Sequence, residues 1–297
     1  MEKRIRRRIR IGSRESKLAV IQAEIVMEAI REAHKELELE LVTMKTTGDK
    51  ILNTSLDKVG GKGLFVKELD MALREGRIDL SVHSLKDMPM EIPQDLPLLG
   101  FSKREDPRDA LILKDGFQIE SEEGVIGSSS KRRILQLKKL YPNLQFETIR
   151  GNVQTRLRKM EEQNYNGIVL ALAGLRRLKL ENIVTRVLST DEMIPAAGQG
   201  ILAIQGRRDF DYAFLDSFFN KDSEIIATCE RAFVTALDGG CSSPIAAYAQ
   251  IEGNEIKLQG LYCEEGREDF RVGSIHGDIE KAARLGEELA RQLREGR

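Results

Sequence analysis

Residues 64–97 read LFVKELDMALREGRIDLSVHSLKDMPMEIPQDLP, and the fold class turns on this stretch. The spacing over 64–74 predicts a helix, and 77–83 follows as a strand. Pro89, Pro93 and Pro97 then fall within nine residues. Each fixes its own backbone and restricts the residue before it, so the unit ends in extended chain and not in another helix. Working upstream, Ile5, Ile9 and Ile11 among arginines predict a first strand, and Leu18, Ile21, Ile25 and Ala29 predict a helix over 17–34. Residues 37–44 alternate as a strand, whereas 45–63 carry Gly and Asn with little periodicity and read as a long loop. Strands that alternate with helices predict a parallel sheet.

The pattern restarts beyond a boundary near residue 102. Strands are expected over 109–113, 124–127, 145–149 and 167–171, with helices over 131–140 and 153–163. Residues 201–205 read as one more strand and 210–219 as a short helix, both returning to the first unit. From Ser223 the apolar set Ile226, Cys229, Phe233 and Leu237 marks a helix; strands over 244–251 and 255–263 and a final helix from Asp278 complete a small α+β unit. The expected organisation is therefore α/β, with a first domain from 1–101 and 200–219, a second from 102–199 and a third from 220–297.

Composition narrows the function classes. The chain of 297 residues is 41% hydrophobic, and its 47 Lys+Arg against 48 Asp+Glu leave a formal net charge of -1. A general nucleic-acid or membrane-surface binder is more basic, and 5% aromatic content offers no stacking platform. The basic first ten residues lead into Ile11-Gly-Ser-Arg-Glu-Ser-Lys17 and not into the apolar run of a signal peptide, so a cytoplasmic protein is expected. Three cysteines form no closed disulfide set, and three scattered histidines without a Cys-x-x-Cys pair predict no metal site.

The cysteines differ in their surroundings. Cys229 lies on an apolar helix stripe and Cys263 ends a strand pattern, so both read as structural. Cys241 sits in Leu237-Asp-Gly-Gly-Cys-Ser-Ser-Pro244, a turn in which no core periodicity explains it. A loop thiol is open to chemistry.

Ser81-Val-His-Ser-Leu-Lys-Asp-Met-Pro89 closes the strand from 77. Ligands of open α/β sheets bind beyond the carboxyl ends of strands, which places Ser84, Lys86 and Asp87 where a site is expected. Asp87 can act as acid or base there, while His83 reads equally as a satisfied packing residue. Gly127-Ser-Ser-Ser-Lys-Arg-Arg133 and Arg150-Gly-Asn-Val-Gln-Thr-Arg156 each put arginines at a helix start. Backbone N–H groups, helix dipole and guanidinium forks favour carboxylates or phosphates; the alternative is solvated surface arginines. Gly60-Gly-Lys-Gly-Leu-Phe-Val-Lys67 lacks the spacing of a nucleotide-binding P-loop.

Taken in order along the chain, these strings resemble the porphobilinogen deaminase (hydroxymethylbilane synthase) family. The resemblance rests on Arg14-Glu-Ser16, Val59-Gly-Gly-Lys-Gly-Leu-Phe-Val-Lys-Glu68, Val82-His-Ser-Leu-Lys-Asp-Met-Pro89, Arg104-Glu-Asp-Pro-Arg-Asp-Ala110, the two arginine motifs, Leu172-Ala-Gly-Leu175, Pro195-Ala-Ala-Gly-Gln-Gly200 and Gly239-Gly-Cys241. It implies two domains similar to type II periplasmic binding proteins facing a cleft, with a small third domain that carries a covalent cofactor.

The implied reaction joins four porphobilinogens head to tail with loss of ammonia, on a dipyrromethane primer held by a thioether, and releases hydroxymethylbilane. By position the thioether falls on Cys241 and the catalytic aspartate on Asp87. Lys86, Ser84, Ser129, Arg132 and Arg133 are then expected to hold the cofactor's acids. Arg14, Ser16, Arg150, Arg156 and Arg177 are expected on the substrate side, with Lys62 and Phe65 on a loop over the cleft. The resemblance further implies a monomer. The competing reading is a binding protein of the same two-lobed shape that holds a small dicarboxylate without turnover, and such a protein needs neither Cys241 nor Asp87.

Overall fold

Short polar side chains cap four of the helices, and apolar stripes seat them. In a computed structural model, residues 7–50, 66–239 and 243–296 are described. The chain opens with β1 (Arg8–Arg14), then α1 (Lys17–Ala33), where Ser16 accepts the Ala19 N–H at 3.3 Å and Ala19, Ala23, Val26, Met27 and Ile30 turn inward. Next come β2 (Glu38–Met44), the single turn α2 (Thr47–Lys50), α3 (Lys67–Arg74), β3 (Leu80–Ser84), a 3-10 turn at Leu85–Asp87, and β4 (Leu98–Phe101) directly after Pro97.

The second unit runs β5 (Asp109–Leu113), β6 (Gly124–Gly127), α4 (Lys131–Leu140), β7 (Leu144–Glu147), α5 (Val153–Glu162), β8 (Gly167–Ala171), α6 (Leu172–Arg177) and β9 (Arg186–Val187). After β10 (Leu202–Gly206) the chain forms α7 (Lys221–Ala236), β11 (Ile245–Glu252), β12 (Glu255–Cys263), β13 (Phe270–Asp278) and α8 (Ala282–Glu295).

Two five-stranded sheets share one plan. The first is ordered β2-β1-β3-β10-β4 and the second β7-β6-β8-β5-β9. Within the first, β1 is parallel to β2 and β3; within the second, β6 is parallel to β7 and β8. The expectation of purely parallel sheets is corrected at one strand in each. β10 runs antiparallel to β3 and β4, and β5 runs antiparallel to β8 and β9. Each odd strand starts where the chain has just crossed from the other sheet, so no helical crossover sets its direction.

The crossings, 102–108 outward and 188–201 on return, lie back to back. The Glu105 N–H donates to Gly200 O at 3.2 Å. Gly200 has φ +92°, and a Cβ there would stand 2.2 Å from Glu105 O, so only glycine permits this approach.

The third sheet, β11-β12-β13, is antiparallel, with α7 and α8 packed on it. The helices touch closely at Gly286, where a Cβ would lie 2.4 Å from Cys229 O. Phe233, Ile226, Cys229 and Leu289 form a core that continues into Leu85, Met88, Ala197 and Ile201, so this unit braces the 3-10 turn of the first sheet. Glu230 of α7 completes the brace. Its buried carboxylate accepts Arg104 Nη1 of the outward crossing, Gly198 N–H of the return and Ala249 N–H of β11, each at 2.7 Å.

Several elements depart from expectation. The helix over 210–219 is only a 3-10 turn at Ala213–Leu215, because Phe214 and Leu215 bury against the first sheet while the tilted rings of Phe210 and Tyr212 meet with centroids 4.9 Å apart. The final helix starts at Ala282, since Asp278 ends β13, a strand the alternation did not reveal. The helix expected from residue 64 starts at Lys67, and residues 47–50 of the expected loop form a helical turn. Ile5 and the loop residues 51–63 lie outside the described residues. Among the described residues no helix is long and apolar enough to cross a membrane, and no group of three or more His, Cys, Asp or Glu could hold a metal ion.

Candidate active site

β3 ends at Ser84 and the chain turns sharply through Leu85–Asp87. Leu85 is buried and its N–H bonds to Ile201 O at 3.0 Å, which anchors the turn from below and leaves Lys86 and Asp87 half-buried above it. A pocket of about 30 Å³ is lined by Arg14 from the end of β1, Gln22 from α1, and His83, Ser84, Asp87 and Met88. Ser84 Oγ accepts Gln22 Nε2 at 2.9 Å. His83 is fixed by a 2.8 Å contact with Ser81 Oγ, and burial pushes its pKa down to about 4; it sits in the wall as a neutral packing residue.

A second constellation joins the two sheets. The first residue of β5, Asp109, is completely buried and accepts Arg132 Nη1 at 2.8 Å and Arg133 Nη2 at 2.7 Å. Burial works to raise this carboxyl, but the two guanidiniums and Lys86 hold it well below the usual carboxylate range. Arg132 also donates to Ile194 O and Arg133 to Val169 O, so both arginines point inward from the first turn of α4. Across the cleft, Lys86 Nζ donates to Gln199 Oε1 at 3.2 Å. Burial lowers Lys86 to about 8; Arg133 and Arg132 press the same way, against Asp87 and Asp109.

Arg156, on the first turn of α5, donates from Nε to Gly151 O at 2.9 Å. Burial pushes it to about 10, Arg133 and Arg150 add to the fall, and Asp87 of the other sheet opposes it. Asp87 and Arg156 thus share one electrostatic site although 69 residues and a domain crossing separate them in the chain.

The expected residues sort into groups. Arg14, Ser84 and Asp87 line one pocket; Lys86, Arg132 and Arg133 meet through Asp109; Arg150 and Arg156 act on each other and on Asp87's surroundings. Arg177 stands by the crossings, donating to Gly200 O at 2.6 Å, with burial lowering it to about 10. Ser16 caps α1, and Ser129 Oγ donates to Ile149 O at 2.6 Å. Cys241, Lys62 and Phe65 lie outside the described residues.

Asp109, Gln199 and Gln22 were not foreseen as site residues. A charged residue opening the apolar run Asp109-Ala-Leu-Ile-Leu113 was the available signal for the first, because a carboxylate entering a core strand needs a cationic partner.

Residues 9–213 match the family model described as "Porphobilinogen deaminase, dipyromethane cofactor binding domain", and residues 225–295 match "Porphobilinogen deaminase, C-terminal domain". A porphobilinogen deaminase of Acetivibrio thermocellus is 52% identical over 289 residues, covering 97% of this chain and 99% of its own. One from Ruminiclostridium cellulolyticum is 53% identical over 287 residues, covering 97% and 98%. Among solved structures, the periplasmic aliphatic sulphonate binding protein SsuA from Escherichia coli covers 78% of this chain and 70% of its own at 13% identity and a TM-score of 0.42, an overlap too slight to carry weight. Both domain matches and near-complete relatives agree, and the chain belongs to the porphobilinogen deaminase family.

Proposed function

We propose that the chain catalyses hydroxymethylbilane synthesis: four porphobilinogen molecules are joined head to tail on a dipyrromethane primer bound through Cys241, one ammonia leaves at each addition, and water then cleaves the finished chain from the primer to give its hydroxymethyl end. The observation that carries this reading is a local surplus of positive charge. Lys86, Arg132, Arg133, Arg150 and Arg156, five cations, act on one another around two carboxylates, Asp87 and Asp109. Cations that burial has partly stripped of water favour a ligand that brings several anions. Each pyrrole of dipyrromethane or porphobilinogen carries an acetate and a propionate, so the donor set fits the group.

When bound, the dipyrromethane supplies the covalent anchor and the free pyrrole carbon from which the chain extends. Lys86, Ser84, Ser129, Arg132 and Arg133 would hold its acids. Ser129 must turn its hydroxyl off Ile149 O to donate. Arg132 and Arg133 already commit N–H groups to Asp109 and to backbone carbonyls, so they offer charge more than free donors. Arg14, Ser16, Arg150, Arg156 and Arg177 would hold porphobilinogen and the lengthening product, with Lys62 and Phe65 covering them.

Asp87 would accept the substrate's pyrrole N–H and offset the positive charge that develops as the aminomethyl nitrogen departs, then take the proton released when the new bond forms. Its place in the lining of the pocket, within electrostatic reach of Arg156, supports that role. The reading includes a cytoplasmic monomer without nucleic-acid partners, in keeping with the near-zero net charge. A binder without turnover is disfavoured, because the matched relatives are named for the deaminase reaction.

The test is the intact mass of the denatured protein, followed by a digest. The expected result is an excess of two porphobilinogens less two ammonias on the Cys241 peptide, absent from Cys241→Ser. An adduct that survives in Cys241→Ser would move the attachment elsewhere.

A further inference from the structure

Gln199 has no role in the reading above, yet its carboxamide is the direct link between the two constellations. It is 1% exposed and lies on the return crossing. Oε1 accepts Lys86 Nζ at 3.2 Å, while Nε2 donates to Pro107 O at 2.6 Å and to Asp109 Oδ1 at 3.0 Å. Those partners come from three places: the 3-10 turn of the first sheet, the outward crossing, and the first strand of the second sheet. The Gln199 backbone is pinned as well, its N–H on Ala196 O at 3.0 Å and its carbonyl accepting Arg104 Nε at 2.9 Å.

The orientation of the amide is locked by charge. Turned over, it would set its NH2 against the Lys86 ammonium and its oxygen against the Asp109 carboxylate, which is unfavourable at both ends. We propose that Gln199 is a positioning residue for the reaction, which fixes the Lys86 ammonium and couples its hold on a ligand carboxylate to the way the two lobes stand together. This rests on the reading of Lys86 as a cofactor-binding residue.

The groups that face Lys86 are Asp87 beside it and Arg132, Arg133 and Asp109 across the cleft. Burial weakens the charged form and Asp87 and Asp109 support it, and to these the Gln199 oxygen adds a hydrogen-bond acceptor at 3.2 Å. A side chain that only filled space here would leave the protonation of Lys86 unchanged. Through Asp109, the same amide touches the anchor of Arg132 and Arg133, so one residue sees both lobes' cations.

The test uses the full-length enzyme with cofactor content matched by intact mass. Reductive methylation of lysines is followed across neutral to alkaline pH, and the peptide carrying Lys86 is quantified. In Gln199→Met the methylation midpoint of Lys86 is expected to fall by roughly one pH unit relative to the wild type, tenfold in its protonation equilibrium, because an acceptor to a charged group is lost. In Gln199→Glu the midpoint is expected to rise, since a carboxylate replaces the amide oxygen. An unchanged midpoint in both overturns the inference, and if the Met variant does not fold, absence of a rise in the Glu variant does so alone. In parallel, kcat of the cofactor-loaded Gln199→Met variant is expected to fall several-fold more steeply above neutral pH than that of the wild type, as the bound cofactor's acids lose the Lys86 charge; equal pH profiles overturn the link to the reaction. The two readings fail separately. A wild-type protein without adduct or turnover removes the proposed function, whereas a turning-over enzyme whose Lys86 ignores Gln199 removes only this inference.

Discussion

Glu230 is the point where the third unit meets both crossings, and its removal can be costed. The carboxylate is fully buried and burial pushes its pKa up, yet Arg104 and the amides of Gly198 and Ala249 draw it toward the charged form. Glu230→Gln keeps the volume and one oxygen but replaces the other with NH2. That NH2 must face Gly198 N–H or Ala249 N–H, donor against donor. It also strands Arg104, whose side chain is only 10% exposed.

Breaking one partner out of a buried pair costs about 3–5 kcal/mol. Arg104 keeps the Gln199 carbonyl at 2.9 Å and the Tyr248 ring at 5.1 Å, which argues for the lower end, about 3 kcal/mol. At roughly 2–4 °C per kcal/mol for a large domain, the melting midpoint should drop by roughly 6–12 °C. Calorimetry on the two purified proteins reads this directly. Adding Arg104→Met to Glu230→Gln removes the stranded cation and should recover part of the loss. A drop below roughly 2 °C, or a double variant that simply sums two losses, would refute the account of this junction as a charge-satisfied brace.

Two further outcomes concern the carboxylates Asp87 and Asp70. Asp87→Asn retains shape and removes the charge, so the covalent adduct mass should persist while turnover falls on the order of 10²–10⁴-fold; near-normal turnover would end the role given to Asp87. Asp70, buried on α3 with Oδ1 unpartnered among the described atoms, has its pKa pushed by burial up to about 6. A carboxyl raised in the folded state is a burden when ionised, so the wild type loses stability as pH rises from the ordinary value of 3.8 through 6. Asp70→Asn should therefore stabilise at neutral pH by on the order of 2 kcal/mol, and the gain should vanish toward pH 4, read by urea unfolding at each pH. A gain that does not change with pH would show that Asp70 is not the titrating group.

How much of this was legible in the sequence depended on whether a signal was local. Apolar spacing located α1, α4, α5 and α7, because helical periodicity acts within a few residues of chain. Strand direction is not written in periodicity, so the antiparallel β5 and β10 could not be read from alternation alone. β13 was hidden because its inward positions include Gly273 and Gly277, packed under Leu293 and Leu285, and glycine carries no apolar signal. The arginine motifs announced cations at helix starts, but not that Arg132 and Arg133 would face Asp109, 23 and 24 residues earlier. Gln199 carries no local signal of its own, because the partners of its amide, Lys86, Pro107 and Asp109, lie 113, 92 and 90 residues away in the chain.

The near-neutral chain and the cationic site are compatible because topology, not composition, gathers the charge. The first sheet contributes its carboxylate, Asp87, just past the end of β3, together with Lys86. From the second sheet come Arg132 and Arg133 on the first turn of α4 and Arg156 on that of α5, where the helix dipoles already favour anions. Asp87 and Lys86 thus come from one sheet and the three helix-start arginines from the other. Chemistry on a ligand with several acids then requires the lobes in register, and that register is held by groups on the crossings: Gly200 against Glu105, Arg104 and Gly198 on Glu230, and Gln199 between Lys86 and Asp109. A substitution at a crossing should therefore weaken substrate handling even where it touches no ligand, while an equal loss of stability placed in α8, away from the crossings, should leave it intact.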